Sequence, residues 1–87
     1  MIRRRSTRRQ RAQQAAAAQR QAAIDHAVDC AITSARTHPE DLFLIDIKAA
    51  DIQAFAMLHG IIPTDNEAES AMLRRMKYRG YRRDTVN

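Results

Sequence analysis

Between Ala12 and Arg36 the chain contains neither glycine nor proline, and alanine and glutamine dominate. The intrinsic preference is therefore helical over the whole stretch. Within it Ile24, Ala27, Val28, Ala31, Ile32 and Ala35 recur at spacings of three and four residues, which makes one apolar helical stripe. Pro39 disfavours helical geometry at His38, so the helix is predicted to end near Thr37. Upstream of Ile24 the stripe holds only alanine and has little to bury. That part is expected to be disordered or frayed when free, and to become helical when its arginines are neutralised.

After the turn at Pro39-Glu40-Asp41 comes a continuous apolar run, Leu42-Phe43-Leu44-Ile45. It is too short for a helix and reads as a buried strand or a core-crossing segment. A second helix is predicted from near Lys48, with Ile52, Phe55, Ala56 and His59 on its inner face and Gly60 at the position of a left-handed cap. Ile61, Ile62 and Pro63 form a short link. Thr64-Asp65-Asn66-Glu67 then has the form of a capping box, in which the hydroxyl and the carboxylate satisfy each other's backbone N–H groups. The helix it opens should run to Arg79 and stop at Gly80. Ala68, Ala71, Met72 and Met76 would face inward, while Asn66, Ser70, Arg74, Lys77 and Tyr78 would form a polar, basic outer face. Met57 is assigned to the core with Met72 and Met76. Helix, tight link and capped helix together make a helix-turn-helix pattern, whose second helix enters a DNA major groove.

Charge sharpens this picture. The 87 residues carry 15 Lys and Arg against 10 Asp and Glu, a net charge of +5. Residues 1–20 are +7 with no acid, residues 21–66 are −5, and residues 67–87 are +3. Two basic ends around an acidic middle suit two contacts with a polyanion. The small size and alanine-rich composition exclude a large catalytic cleft. The single cysteine, Cys30, excludes an internal disulfide and fits a reducing, cytoplasmic setting. Glutamines and Arg20 interrupt the early alanines, so neither a secretory leader nor a membrane span is expected.

From Leu42 to Val86 the order of short strand, helix, link, capped helix and Gly80-Tyr81-Arg82-Arg83 resembles the winged-helix domains of phage and plasmid replication and regulatory proteins. The resemblance implies that Ser70, Arg74, Lys77 and Tyr78 face bases and phosphates, and that Tyr81, Arg82 and Arg83 form the stub of the wing. With Asn87 as the last residue, at most one wing strand is expected. The segment Arg3-Arg4-Arg5-Ser6-Thr7-Arg8-Arg9-Gln10-Arg11-Ala12-Gln13-Gln14-Ala15 is similar to the arginine-rich helices of phage antitermination proteins. That likeness implies an RNA hairpin as the partner and folding on binding.

Other constellations carry less. His26 and Cys30, four residues apart, supply at most two ligands, and no second pair stands at zinc-like spacing, so neither metal nor cofactor is expected. Asp25 and Asp29 beside them read as a solvated flank or a place where arginines dock. Gly60 and Gly80 are too far apart for a phosphate loop, and no nucleophile sits in a recognisable motif. No enzyme is expected.

The resulting expectation is a mainly α fold. Residues 1–22 form an Arg/Ala/Gln-rich arm, and residues 23–87 a helix-turn-helix or truncated winged-helix-like three-helix domain. The partner is nucleic acid, DNA ahead of RNA, contacted through Arg3, Arg4, Arg5, Arg8, Arg9, Arg11, Ser70, Arg74, Lys77, Tyr78, Tyr81, Arg82 and Arg83. The alternatives are an antitermination-like RNA binder and a modulator of a host protein. Homodimerisation is expected from the length of the Ile24–Ala35 stripe.

Overall fold

The structure is a computed structural model and describes residues 7–84. The fold is mainly helical, with three helices and a small three-stranded sheet. The first helix, α1 (Arg8–Ser34), opens on a capping box in which Thr7 Oγ1 accepts from the Gln10 N–H and Gln10 Oε1 accepts from the Thr7 N–H. There follow β1 (Arg36–His38), β2 (Asp41–Asp46), α2 (Ala49–Met57), α3 (Asp65–Arg79) and β3 (Arg82–Arg83).

The apolar stripe of α1 is buried as expected. Ile24, Ala27, Val28, Ala31 and Ile32 pack with Ile45, Ile47, Ile52, Ala56, Ala68, Ala71, Met72 and Met76 in one core. Each helix packs on the other two. The stripe is thus covered by α2 and α3 of the same chain, which removes the reason for expecting a second copy there.

Helix α1 stops at Ser34, earlier than the predicted Thr37. Arg36–His38 instead form the first strand of a hairpin with β2, pairing Arg36 with Asp46 and Thr37 with Ile45, with an irregularity at His38. Strand β2 is only partly buried. Ile45 is fully enclosed, but Leu42 is 68% and Phe43 54% exposed. Strand β3 lies parallel to β2, placing Arg82 beside Leu44 and Arg83 beside Ile45.

Both glycines end helices in left-handed geometry, Gly60 at φ 74° and Gly80 at φ 79°. Behind each, two N–H groups return to the last turn: Gly60 to Met57 O with Ile61 to Ala56 O, and Gly80 to Lys77 O with Tyr81 to Met76 O. This is the Schellman closure that glycine permits. The link from α2 to α3 therefore includes a turn at Leu58–Gly60 and is longer than the four residues expected. Gln53 fixes it by donating to Pro63 O (3.1 Å) and Asp65 Oδ1 (2.8 Å). Met57, expected in the core, is 62% exposed, because α2 turns Ile52 and Ala56 inward. Among the described residues no helix is long and apolar enough to cross a membrane.

Candidate nucleic-acid interface

Every residue from Thr7 to Ala22 is exposed, and burial begins only at Ala23 and Ile24. One unbroken helix therefore crosses the boundary between the expected arm and domain. Its first half carries Arg8, Arg9 and Arg11. Arg3, Arg4 and Arg5 lie outside the described residues. No acid occurs before Asp25.

Ion pairs show how α1 sits against α3. Arg20 bonds Glu67, Arg74 bonds Asp25, and Arg75 and Arg79 bond Asp29, at sequence separations of 47, 49, 46 and 50. A nearly constant separation means that the two helices run side by side in the same direction. The amino end of α3 then lies level with Arg20, so residues 8–19 of α1 extend beyond it by roughly 18 Å at 1.5 Å per residue.

The Arg20 contact anchors the base of this projection. Its guanidinium gives Nε to Glu67 Oε2 and Nη2 to Glu67 Oε1, both at 3.0 Å, and also reaches Ile62 O at 3.1 Å. Glu67 is at the same time the carboxylate of the Thr64 capping box, accepting from the Thr64 N–H at 3.0 Å. The Arg20 hydrogen bonds, aided by the bond from the Thr64 backbone, pull the Glu67 carboxyl down to about 2. The same hydrogen bonds raise the Arg20 pKa.

On α3 the expected outer face is present: Asn66, Ser70, Arg74, Lys77 and Tyr78 are all exposed, and Leu73 is exposed beside them. Its cations are divided. Lys77 forms no ion pair among the described residues. Arg74 gives Nη2 to Asp25 Oδ1 at 2.8 Å yet keeps 53% of its side chain exposed. Arg75 forks onto both oxygens of Asp29 at 2.9–3.1 Å, and Arg79 reaches the same carboxylate at 3.4 Å. Each of these two guanidiniums also lies over a ring, Arg75 over Tyr78 and Arg79 over Tyr81, at 5.5 and 5.4 Å.

The residues expected as a wing stub are tied into the body. Tyr81 packs against the core and the Phe43 ring at 5.5 Å. Arg82 pairs with Asp41. Arg83 bonds Glu69 at 2.7 Å, and its Nε is buried without a partner. These three therefore brace β3 against β2 and α3. The open cationic surface consists of the α1 projection, with Ser70, Lys77 and Tyr78 on α3 as a weaker second area.

Sequence reading missed two features of this region. Thr7-Arg8-Arg9-Gln10 carries the Ser/Thr-x-x-Glu/Gln signature and could have been found. The assignment of arginines to particular aspartates could not, although docking at Asp25 and Asp29 was anticipated. His26 and Cys30 do approach, with Nε2 and Sγ 3.6 Å apart, and His26 meets the His59 ring edge-on at 5.6 Å. Among the described residues no three His, Cys, Asp or Glu side chains are placed to hold a metal ion.

Compared with known proteins, the chain matches no family model, no curated protein and no solved structure.

Proposed function

We propose that this chain is a nucleic-acid-binding regulatory protein, working by binding rather than catalysis, in a cytoplasmic setting. One observation carries the reading: an exposed helix, free of acids over its whole projecting length, bears Arg8, Arg9 and Arg11 directly after Arg3, Arg4 and Arg5. Arginines at such density, with no acid among them in sequence, raise the protein's own electrostatic energy, and a chain of phosphates relieves it by releasing counterions. DNA is favoured over RNA because the B-form major groove admits an α-helix, whereas the A-form major groove is deep and narrow. In this reading α2 and α3 are a helix-turn-helix-like scaffold and β3 is a truncated wing. Lys77, Ser70 and Tyr78 make a second contact, while Arg74, Tyr81, Arg82 and Arg83 serve the phosphate contact only through what they leave exposed.

Titrating binding to a duplex DNA against salt tests this. With six to eight phosphates neutralised, the log–log slope should be roughly −5 to −7, at about 0.9 per phosphate. Removing residues 1–19, and so sparing the Arg20 anchor, should take most of that slope away while the core still folds. A slope near zero in the full chain sinks the proposal, and tighter binding to a hairpin RNA than to the duplex would overturn the preference for DNA.

A further inference from the structure

The segment joining α2 to α3 exposes large apolar side chains that a phosphate chain cannot use. Leu58 is 77%, Ile62 73% and Met57 62% exposed, and residues 52–62 contain no Asp, Glu, Lys or Arg. Two contacts fix this segment against α1: the His59 ring meets His26 edge-on, and Ile62 O accepts from Arg20 Nη2 at 3.1 Å. It therefore lies alongside the stretch from Arg20 to His26, where the projecting length of α1 begins. Back from the buried Ala27 along the same side of the helix, in steps of three and four residues, come Ile24, Arg20, Ala16, Gln13 and Arg9. At 1.5 Å per residue, Ala16 stands about 6 Å and Arg9 about 16 Å beyond Arg20. Link and projection thus form a corner. Its floor is Leu58 and Ile62, and its wall passes from Ala16 through Gln13 to the cation of Arg9. The carboxylates beside the floor are engaged, Glu67 by the Arg20 fork and Asp65 by the Gln53 amide.

We propose that this corner receives an acidic amphipathic helix of a partner protein, with its apolar stripe on Leu58 and Ile62 and its carboxylates under Arg9. A helix is about 10 Å across, so it fills the height between the floor and Arg9, and the small side chain of Ala16 lets it lie close to the wall. The grading of the corner selects this chemistry. Exposed aliphatic groups gathered in one place gain by being covered, and an acid-free wall favours a partner that brings negative charge. A nucleic acid satisfies the wall but leaves Leu58 and Ile62 in water. A bilayer is flat, and a helix standing about 18 Å beyond the floor holds it away from the apolar side chains. An apolar stripe on a partner helix meets both requirements, as in other helix-in-groove contacts. The inference stands whether or not the chain binds nucleic acid.

The test uses nuclease-treated, isotope-labelled full-length protein and a synthetic peptide of about eighteen residues, long enough to form a helix. The peptide carries leucines at i, i+3, i+4 and i+7 spacing and glutamates on both flanks. Backbone amide signals should shift at residues 13–20 and 58–62. A peptide of the same composition, with its leucines scattered round the helix, should bind about tenfold or more weakly, and so should the striped peptide to Leu58→Ser combined with Ile62→Ser, since covering one aliphatic side chain contributes roughly a tenfold change. Both residues are exposed, so this variant should keep its circular dichroism and urea midpoint. Its binding to a DNA duplex, and to vesicles of phosphatidylcholine with phosphatidylserine, should match that of the unaltered chain. No shift at residues 58–62, equal binding of striped and scattered peptides, or full affinity in the double variant would each overturn the proposal. A loss of duplex binding in that variant would give the corner to nucleic acid instead, and a loss of vesicle binding would give it to a lipid surface.

Discussion

Glu67 shows how much one side chain can be made to do. It closes the capping box of α3 and receives the Arg20 fork, so a single carboxylate joins the helix start to the base of the α1 projection. Both bonds require the ionised form, which is why its pKa falls from 4.5 to about 2. A depressed acid stabilises the fold above its unfolded-state value and loses that contribution as pH falls through the folded-state value. The cap and the anchor should therefore hold at neutral pH and loosen as pH drops from about 4.5 towards 2. In Arg20→Ala the Glu67 carboxyl should titrate clearly higher, with the Thr64 bond alone still holding it somewhat low; side-chain carbon shifts in an NMR titration read this directly. Gly80 carries a different kind of constraint. A Cβ there would meet nothing within 4 Å, yet φ is +79°. Gly80→Ala should thus cost about 1–2 kcal/mol purely as left-handed backbone strain, measurable as a lower urea midpoint with an unchanged slope.

The two capping boxes have the same chemistry in different settings, and their consequences separate at the level of the element. Helix α3 puts Ala68, Ala71, Met72 and Met76 into the core. Thr64→Ala should accordingly lower global stability by about 1 kcal/mol. Thr7 caps a stretch whose residues are all exposed up to Ala22, so Thr7→Ala should fray the first turns of α1 and leave the urea midpoint of the body where it was. Amide hydrogen exchange resolves the two cases. This contrast also explains what could be read in advance. Helix α3 was legible at both ends because its start and stop are local signals, Thr64-x-x-Glu67 and Gly80, and its inward residues repeat at helical spacing. Strand β1 was not, since Arg36-Thr37-His38 has no apolar alternation and becomes a strand only by pairing with β2. Ala35 even continues the apolar period of α1 past the point where the helix ends. Met57 misled for a related reason: a nine-residue helix has room for only a narrow inner face, and Ile52 and Ala56 fill it.

At the scale of the whole molecule, segment charges alone could not say which cations are spent internally, because the pairs that decide it lie 46 to 50 residues apart and depend on α1 and α3 running in parallel. Asp25 and Asp29 are the pivot of that arrangement. They pair with Arg74, Arg75 and Arg79 of α3. Replacing both by asparagine keeps their shape and removes two negative charges, so two effects should separate. The folded body should lose about 1 kcal/mol, because these are partly exposed pairs and such pairs contribute little each. Polyanion binding should tighten, with a salt slope steeper by about one to two, since guanidiniums released on α3 extend the phosphate-contacting surface beyond the arm. Urea denaturation measures the first effect, and fluorescence anisotropy with a labelled duplex at several salt concentrations measures the second. Tighter DNA binding together with a lower urea midpoint is an outcome that general destabilisation alone cannot produce, since unfolding would weaken binding too. If binding instead falls in parallel with the urea midpoint, the α3 arginines serve the fold alone and the polyanion contact is confined to the arm.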